Sequence, residues 1–393
     1  MAHLYHQSSL EGIINFHPQP LSESQRERAA TTFHMIVDHF RQEELASGSP
    51  PRYSRFLLVH HSYSFSLPGP SQDVFLRVFF DAMGIDIETA PAPDFAIQAD
   101  DLRKNLTAFA DFLFDSFFLP MRASGSCTSQ PSPAHMSALQ RVLESHEHIP
   151  TPERVAALRQ LCLIRDRHKC VISHTFDAKA ASDRLRQYGD SAEDDDGNRL
   201  SEAGPDRQPI NIGPLEVSHI LPHSLTQVDA SGKLNDAKKA ALMILDMFDF
   251  NISHVIDGVD IDRPFNAITL TRDLHAHFGE FNIYFTPIPG KNHTYRIEST
   301  FPDGWIRGVP VTRELYITED RSIDPPLPRL LALHRAIALI INLSGAAEPI
   351  DKVLRDMEDL AVSASGTTEL GQLVTLKMNG WFDIPVIPKP VWI

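Results

Sequence analysis

The 393-residue chain has three cysteines, Cys127, Cys162 and Cys170, and no CxxC pair. An odd, unpaired set argues against a disulfide framework and a four-cysteine zinc site, and points to a reducing compartment. Long apolar runs are scarce too. The best membrane candidate, "AIALIINLSGAA" at 336–347, follows Arg335 and falls well short of the roughly 20 residues that a span needs, so it reads as a core helix. Residues 1–20 show no basic start followed by an apolar stretch. No secretory signal is therefore expected, and the expected location is intracellular, in cytoplasm or nucleus. Positive charge is in short supply: 36 basic residues face 51 acidic ones, a net charge of −15. Bulk electrostatic attraction to nucleic acid requires the opposite sign, so any contact with a polyanion must come from a local basic patch.

What is present is an ordinary globular composition, 42% hydrophobic and 22% charged, on a chain longer than one hydrophobic core usually supports. Residues 1–121 read as mainly helical. "SESQRERAATTFHMIVDHFRQEE" opens on a Ser cap and spaces Ala30, Phe33, Ile36, Val37 and Phe40 as a helix does, and "DDLRKNLTAFADFLFDSFF" follows the same pattern. Between them, "FLLVHHSYSFS" fits a strand or a buried helical turn, with His60 and His61 read as packing or surface residues rather than ligands. Ser, Pro and Gly clusters make 122–152 a linker, and the acidic, Gly/Pro-punctuated stretch 188–209 an exposed loop. The strand "PLEVSHIL", a helical insertion at 235–250, the strand "NAITLT", a short helix "RDLHAHF" and a hairpin "FNIYFTP"/"TYRIEST" fill 153–300. Residues 301–393 read as helical, with a break at Ser344-Gly345.

Polar residues recur in order through the middle third: "RDRHKCVIS" at 165–173, "LEVSHILPHS" at 215–224, Asn266 opening "NAITLT", and "DLHAHFG" at 273–279. This succession, a Cys-containing strand, a His ending a strand, an Asn, and a His on a helix, resembles the HNH endonucleases, over roughly residues 160–290. The pieces "CVIS", "HILP", "NAITL", "DLHxxF" and "HxxFGxFxIYF", and the tail "LLALHRAIALIINLSGA", are most similar to uncharacterised fungal members. The resemblance implies an α+β fold in which a ββα-metal core sits between N-terminal and C-terminal mainly helical regions. It implies phosphodiester hydrolysis with a divalent ion (Mg, Mn or Zn), with DNA the expected polymer and no membrane role. His219 would be the general base, since an imidazole titrates near neutrality and takes a proton from water without a large pKa shift. His275 would be a metal ligand, and Asn266 would hold the loop and the His219 ring in place.

Two departures from the family pattern stand out. Ser218 occupies the position before the base, where HNH sites often carry Asp or His, and Gly279 falls where a second helix ligand is usual. Asp273, His277, His223 and Glu280 are the residues available to fill that gap. Asp273 and His277 are spaced i, i+4 and share a helix face, while His275 lies between them and points elsewhere. For nucleic-acid contact, residues 151–175 hold Arg154, Arg159, Arg165, Arg167 and Lys169 against Glu153 and Asp166. Arg165, Arg167 and Lys169 are the candidates for phosphates, with a solvated basic edge as the other reading. A degenerate HNH scaffold that binds nucleic acid or protein without cutting remains the alternative function.

Overall fold

Ser22 opens the first helix as its sequence predicts. Its hydroxyl accepts from the Gln25 amide at 3.3 Å, while the Gln25 side chain accepts from the Ser22 amide at 2.9 Å, a reciprocal box that satisfies two otherwise unpaired amides. The structure is a computed structural model describing residues 20–48, 51–125, 151–201, 210–228, 233–358, 376 and 379–381. Helix α1 (Glu23–Ala46) packs with α2 (Arg55–Phe65), α3 (Pro70–Met83) and α4 (Phe95–Leu113). Their shared interior is aromatic, with the Phe33 ring meeting Phe75 and Phe79 edge-on at 5.8 and 4.8 Å. The ambiguous "FLLVHHSYSFS" is helical: Ser54 caps α2 by accepting from the Leu57 amide, and Leu58, Val59 and Ser62 take the buried side at helical spacing.

After a π-helical turn, Phe114–Phe118, the chain continues as α5 (Leu119–Gly125). Arg122 and Ala123 are buried there, so the expected linker begins inside the core. Its residues 126–150 lie outside the described ones, as does Cys127. Helix α6 (Thr151–Arg165) follows. The Cys170 segment, expected to be a strand, is a tight turn in which Cys170 N donates to Thr175 O at 2.9 Å and His174 N to Cys170 O at 3.0 Å. Positive φ at Arg167, His168 and His174 breaks the extended path. Val171 N still donates to Thr269 O at 2.9 Å, which docks this turn on the central hairpin.

That hairpin pairs β3 (Leu215–His219) antiparallel with β4 (Ala267–Thr271), in a register that sets His219 opposite Ala267. A smaller parallel pair, β1 (Phe176–Asp177) with β2 (Ile212–Gly213), flanks α7 (Ala178–Tyr188). The insertion forms α8 (Asp236–Phe248), capped by Asn235, and a single turn α9 (Ile252–Val255). Helix α10 (Arg272–Gly279) leaves β4 directly and buries Leu274, His275 and Phe278. Strands β5 (Ile283–Pro287) and β6 (Thr294–Ser299) form the second hairpin, extended by β7 (Val311–Glu314). The region expected to be helical from 301 onward therefore begins with a strand. The protein is an α+β structure.

The last helices, α11 (Pro328–Ser344) and α12 (Ala347–Glu358), break at Gly345. Gly345 has φ +75, and a Cβ there would stand 1.8 Å from Arg52 O, so both conformation and space require glycine. No single helix among the described residues is long and apolar enough to cross a membrane. Helix α11 lies against α2 and β5, and one buried apolar cluster runs from Leu21 through the central hairpin to Trp381.

Behind α10, the fully buried His334 of α11 stacks on Phe278 at 3.9 Å and Phe281 at 4.5 Å, and its Nε2 donates to Phe278 O at 3.0 Å. Burial pushes its pKa down to about 3, against a small opposing effect of that hydrogen bond. The unfolded chain therefore binds the proton first as pH falls. The stability this neutral ring contributes is complete above about pH 6.5 and declines from there toward pH 3, by about 1.4 kcal/mol per pH unit. His334→Phe should be less stable at pH 7.5 but show a shallower loss between pH 6 and 4.5, read from denaturant melts. Parallel wild-type and variant slopes would show that His334 does not set this dependence.

Candidate active site

A buried carboxylate organises the end of β3. Asp262 closes the 3-10 turn Gly258–Asp262. Its Oδ1 accepts from His219 Nε2 at 3.2 Å and from His223 Nδ1 at 2.7 Å, and its Oδ2 accepts from Arg154 Nε of α6 at 3.0 Å. All four side chains are buried. Burial alone would raise the Asp262 pKa, but the neighbouring His223 and His219 outweigh it and hold the carboxyl below the usual range. Ligand atoms of His219, His223 and Asp262 lie within 4.8 Å of one another, a spacing suited to one metal ion.

Strand alternation separates the two histidines of the expected site. Val217 packs with Leu158, Cys162 and Ala267 on the α6 side, and His219, two residues on, shares that side. Glu216 faces the other way and accepts from His275 Nδ1 of α10 at 2.8 Å. Burial lowers the His275 pKa, opposed by its bond to Glu216. Each ring keeps one buried nitrogen without a partner, His219 Nδ1 and His275 Nε2. Unpartnered buried polar atoms are costly and uncommon, and a neutral imidazole nitrogen is what a proton donor or a divalent metal requires. The site fits such a group.

Asn266, fully buried, does not touch His219. Its Oδ1 accepts from Leu221 N at 2.9 Å, and its Nδ2 donates to Leu221 O at 3.0 Å and Ile261 O at 2.9 Å. It thereby clamps the chain leaving His219 to the chain entering Asp262. The other expected ligands do not converge with His275. Asp273 is exposed, and His277 turns its ring to Phe301 at 6.1 Å. His223 joins Asp262 instead. Glu280 is partly buried and accepts from Asn282 Nδ2 at 2.8 Å. Ser218 is fully buried, and Gly279 packs its carbonyl where a Cβ on Gly125 of α5 would stand 1.9 Å away. Gly279 is therefore a helix-contact position, and its backbone is what requires glycine at Gly125 of α5.

The expected phosphate contacts are corrected by the structure. Arg165 is fully buried, bidentate to Asp166 at 2.8 Å through both Nε and Nη2, and donates to Pro264 O and Ala267 O. It locks the start of β4 and presents nothing to solvent. Arg167 pairs with Asp196 at 2.6 Å, and Lys169 pairs with Asp194 at 2.8 Å and with Asp196. The stretch read as an exposed acidic loop folds back to neutralise the basic edge, and its residues 202–209 lie outside the described ones.

Asp262 and Glu216 were not anticipated. Nothing in the spacing of "DGVDIDRPFN" separates Asp262 from Asp257 and Asp260, and Glu216 reads as the solvent side of a strand.

A two-stranded antiparallel hairpin is followed at once by a helix, and each carries an imidazole held by a carboxylate. Residues 170–286 match the family model described as HNH endonuclease. No curated protein and no solved structure matches the chain.

Asp262→Asn would leave the buried Arg154 guanidinium facing a neutral amide. Removing one partner of a buried pair typically costs about 3–5 kcal/mol, and a loss of that order is expected in denaturant unfolding. Wild-type stability in this variant would show that Asp262 does not organise the strand end.

Proposed function

We propose that the protein is a metal-dependent endonuclease that hydrolyses phosphodiester bonds, with DNA as the expected substrate. The observation that carries this reading is the pair of buried imidazoles, each fixed by a carboxylate at one nitrogen and without a hydrogen-bond partner at the other. Asp262 accepting at Nε2 assigns the proton of His219 to that nitrogen and leaves the Nδ1 lone pair free to take a proton from water. Glu216 accepting at Nδ1 likewise leaves the buried His275 Nε2 lone pair unshared, the arrangement in which a carboxylate orients a metal-binding histidine. Asn266 serves as a positioning residue, because it holds the backbone on both sides of the His219–Asp262 contact. A divalent ion bound at His275 would neutralise phosphate charge and stabilise the leaving oxygen. Imidazole ligands accommodate zinc readily, and magnesium or manganese would rely more on oxygen donors.

A second reading places the ion in the His219, His223 and Asp262 group, which is favoured by the 4.8 Å clustering of its ligand atoms. Against it, Arg154 already occupies Asp262 Oδ2 and sets a permanent positive charge beside any incoming cation.

Plasmid nicking with Mg²⁺, Mn²⁺ or Zn²⁺, abolished by EDTA, tests the activity. His219→Ala should lower the rate by roughly 10²–10⁴-fold. Glu216→Gln should weaken metal affinity, measured by calorimetry, by about 10–100-fold, with His223→Ala changing it little. The opposite pattern, loss with His223→Ala and none with Glu216→Gln, would move the ion to the Asp262 group. A folded protein that binds DNA yet nicks nothing with any of the three ions would favour a non-cutting HNH scaffold.

A further inference from the structure

Beyond β6 the chain makes a loop at 300–310 whose backbone is well tied. Thr300 N donates to Asn282 O at 2.9 Å, Trp305 N to Pro302 O at 3.2 Å, and Val309 N to Ile306 O at 3.1 Å. Ile306 and Val309 insert into the core, at 6% and 5% exposure. Between these anchors the loop holds its largest apolar side chain outward: Trp305 is 74% exposed and Phe301 38%. Their rings are parallel within 9°, with centroids 6.2 Å apart. Phe301 in turn meets the edge of His277, on the helix that carries His275, at 6.1 Å.

We propose that Phe301 and Trp305 form a stacking platform for an unpaired nucleobase of the strand bound at the HNH centre. This inference rests on the nuclease reading above. Three observations favour a base over other occupants. The offered surface is flat and aromatic, and every base has a matching π-face, whereas in a duplex those faces are covered by neighbouring pairs. The exposed Arg307 lies two residues beyond Trp305, where a cation can meet the phosphate of a stacked nucleotide. Finally, the net charge is −15, and Arg167 and Lys169 are neutralised internally. Attraction to a polyanion therefore has little bulk electrostatic help, and contacts insensitive to net charge, of which stacking is one, must supply affinity.

The geometry also sets where along the strand the platform acts. His277 is two residues from His275, close to the opposite side of a helix with 3.6 residues per turn. A helix with its side chains is about 10–12 Å across, which at about 3.4 Å per stacked nucleotide places the held base roughly three positions from the reacting phosphate. The platform grips a flanking nucleotide and takes no part in bond cleavage.

The test uses a fluorescein-labelled single-stranded dT 12-mer and a blunt 12-base-pair duplex, with binding read by anisotropy in EDTA to prevent turnover, beside the plasmid-nicking assay. Trp305→Ala should weaken single-strand binding roughly 10- to 100-fold, equivalent to about 1.4–2.8 kcal/mol, with duplex binding and the thermal melt unchanged. Trp305→Phe, which keeps an aromatic face, should stay within about threefold of wild type. Equal single-strand affinity for wild type and Trp305→Ala overturns the platform, as does a Phe variant as weak as the Ala variant. Wild-type protein that nicks plasmid but binds no single strand overturns the platform and leaves the nuclease reading intact. Stacking that depends on Trp305 in a protein that nicks nothing upholds the platform and removes the nuclease reading.

Discussion

The Asp262 carboxylate holds the active region together. It accepts from three donors on three elements: His219 at the end of β3, His223 in the following turn, and Arg154 in α6. A buried charge is tolerated only when its partners replace the lost water, so the three donors and the carboxylate require one another. Once Asp262 is in place the His219 ring has one orientation and one tautomer. Remove it and Arg154 becomes a buried cation without its counter-charge.

A second buried acid–base pair does for β4 what Asp262 does for β3. Arg165 and Asp166 bond side by side, and Asp166 Oδ2 also accepts from Thr269 N at 3.1 Å while Arg165 donates to Ala267 O. Both strands of the hairpin are thus pinned by buried charges near the end where His219 faces Ala267, with the Asn266 side chain beside them bonding to backbone. The polar residues of this segment divide into those that hold the backbone (Arg165, Asp166, Asn266) and those that hold the two rings (Asp262, Glu216). The imidazole nitrogens left over, His219 Nδ1 and His275 Nε2, are the part of the network without a hydrogen-bond partner.

Elements set by local sequence were legible before the structure. The Ser22 cap, the α8 insertion, the β5–β6 hairpin and the break at Ser344-Gly345 each depend on residues close to one another in the chain. So did the order of His219, Asn266 and His275, which singles out the right segment. Contacts across long separations were not legible. Arg165 reads as a phosphate contact because its bonds to Pro264, Ala267 and Asp324 lie about a hundred residues or more away. Arg167 and Lys169 read as a free basic edge because the loop that neutralises them was taken for a solvated charge run. Asp262 looks like its neighbours Asp257 and Asp260 until the fold buries it. Gly279 looks like a lost ligand position until α5 is seen against it. Composition and spacing locate a site, but which carboxylates serve it depends on the tertiary fold.

The insertion between the two strands has a consequence for the order in which the protein is made. His219 and Asp262 are 43 positions apart, and Asn266 and β4 come later still. On a ribosome adding about 5–20 residues per second, β3 emerges several seconds before it has a partner strand, a carboxylate for its histidine or the helix bearing His275. Helix α8, whose bonds are local, forms in that interval, while the non-local strand pairing waits. A truncated or stalled chain therefore contains the His219 strand without the carboxylate and helix that complete its surroundings, which assemble only when the domain is nearly complete.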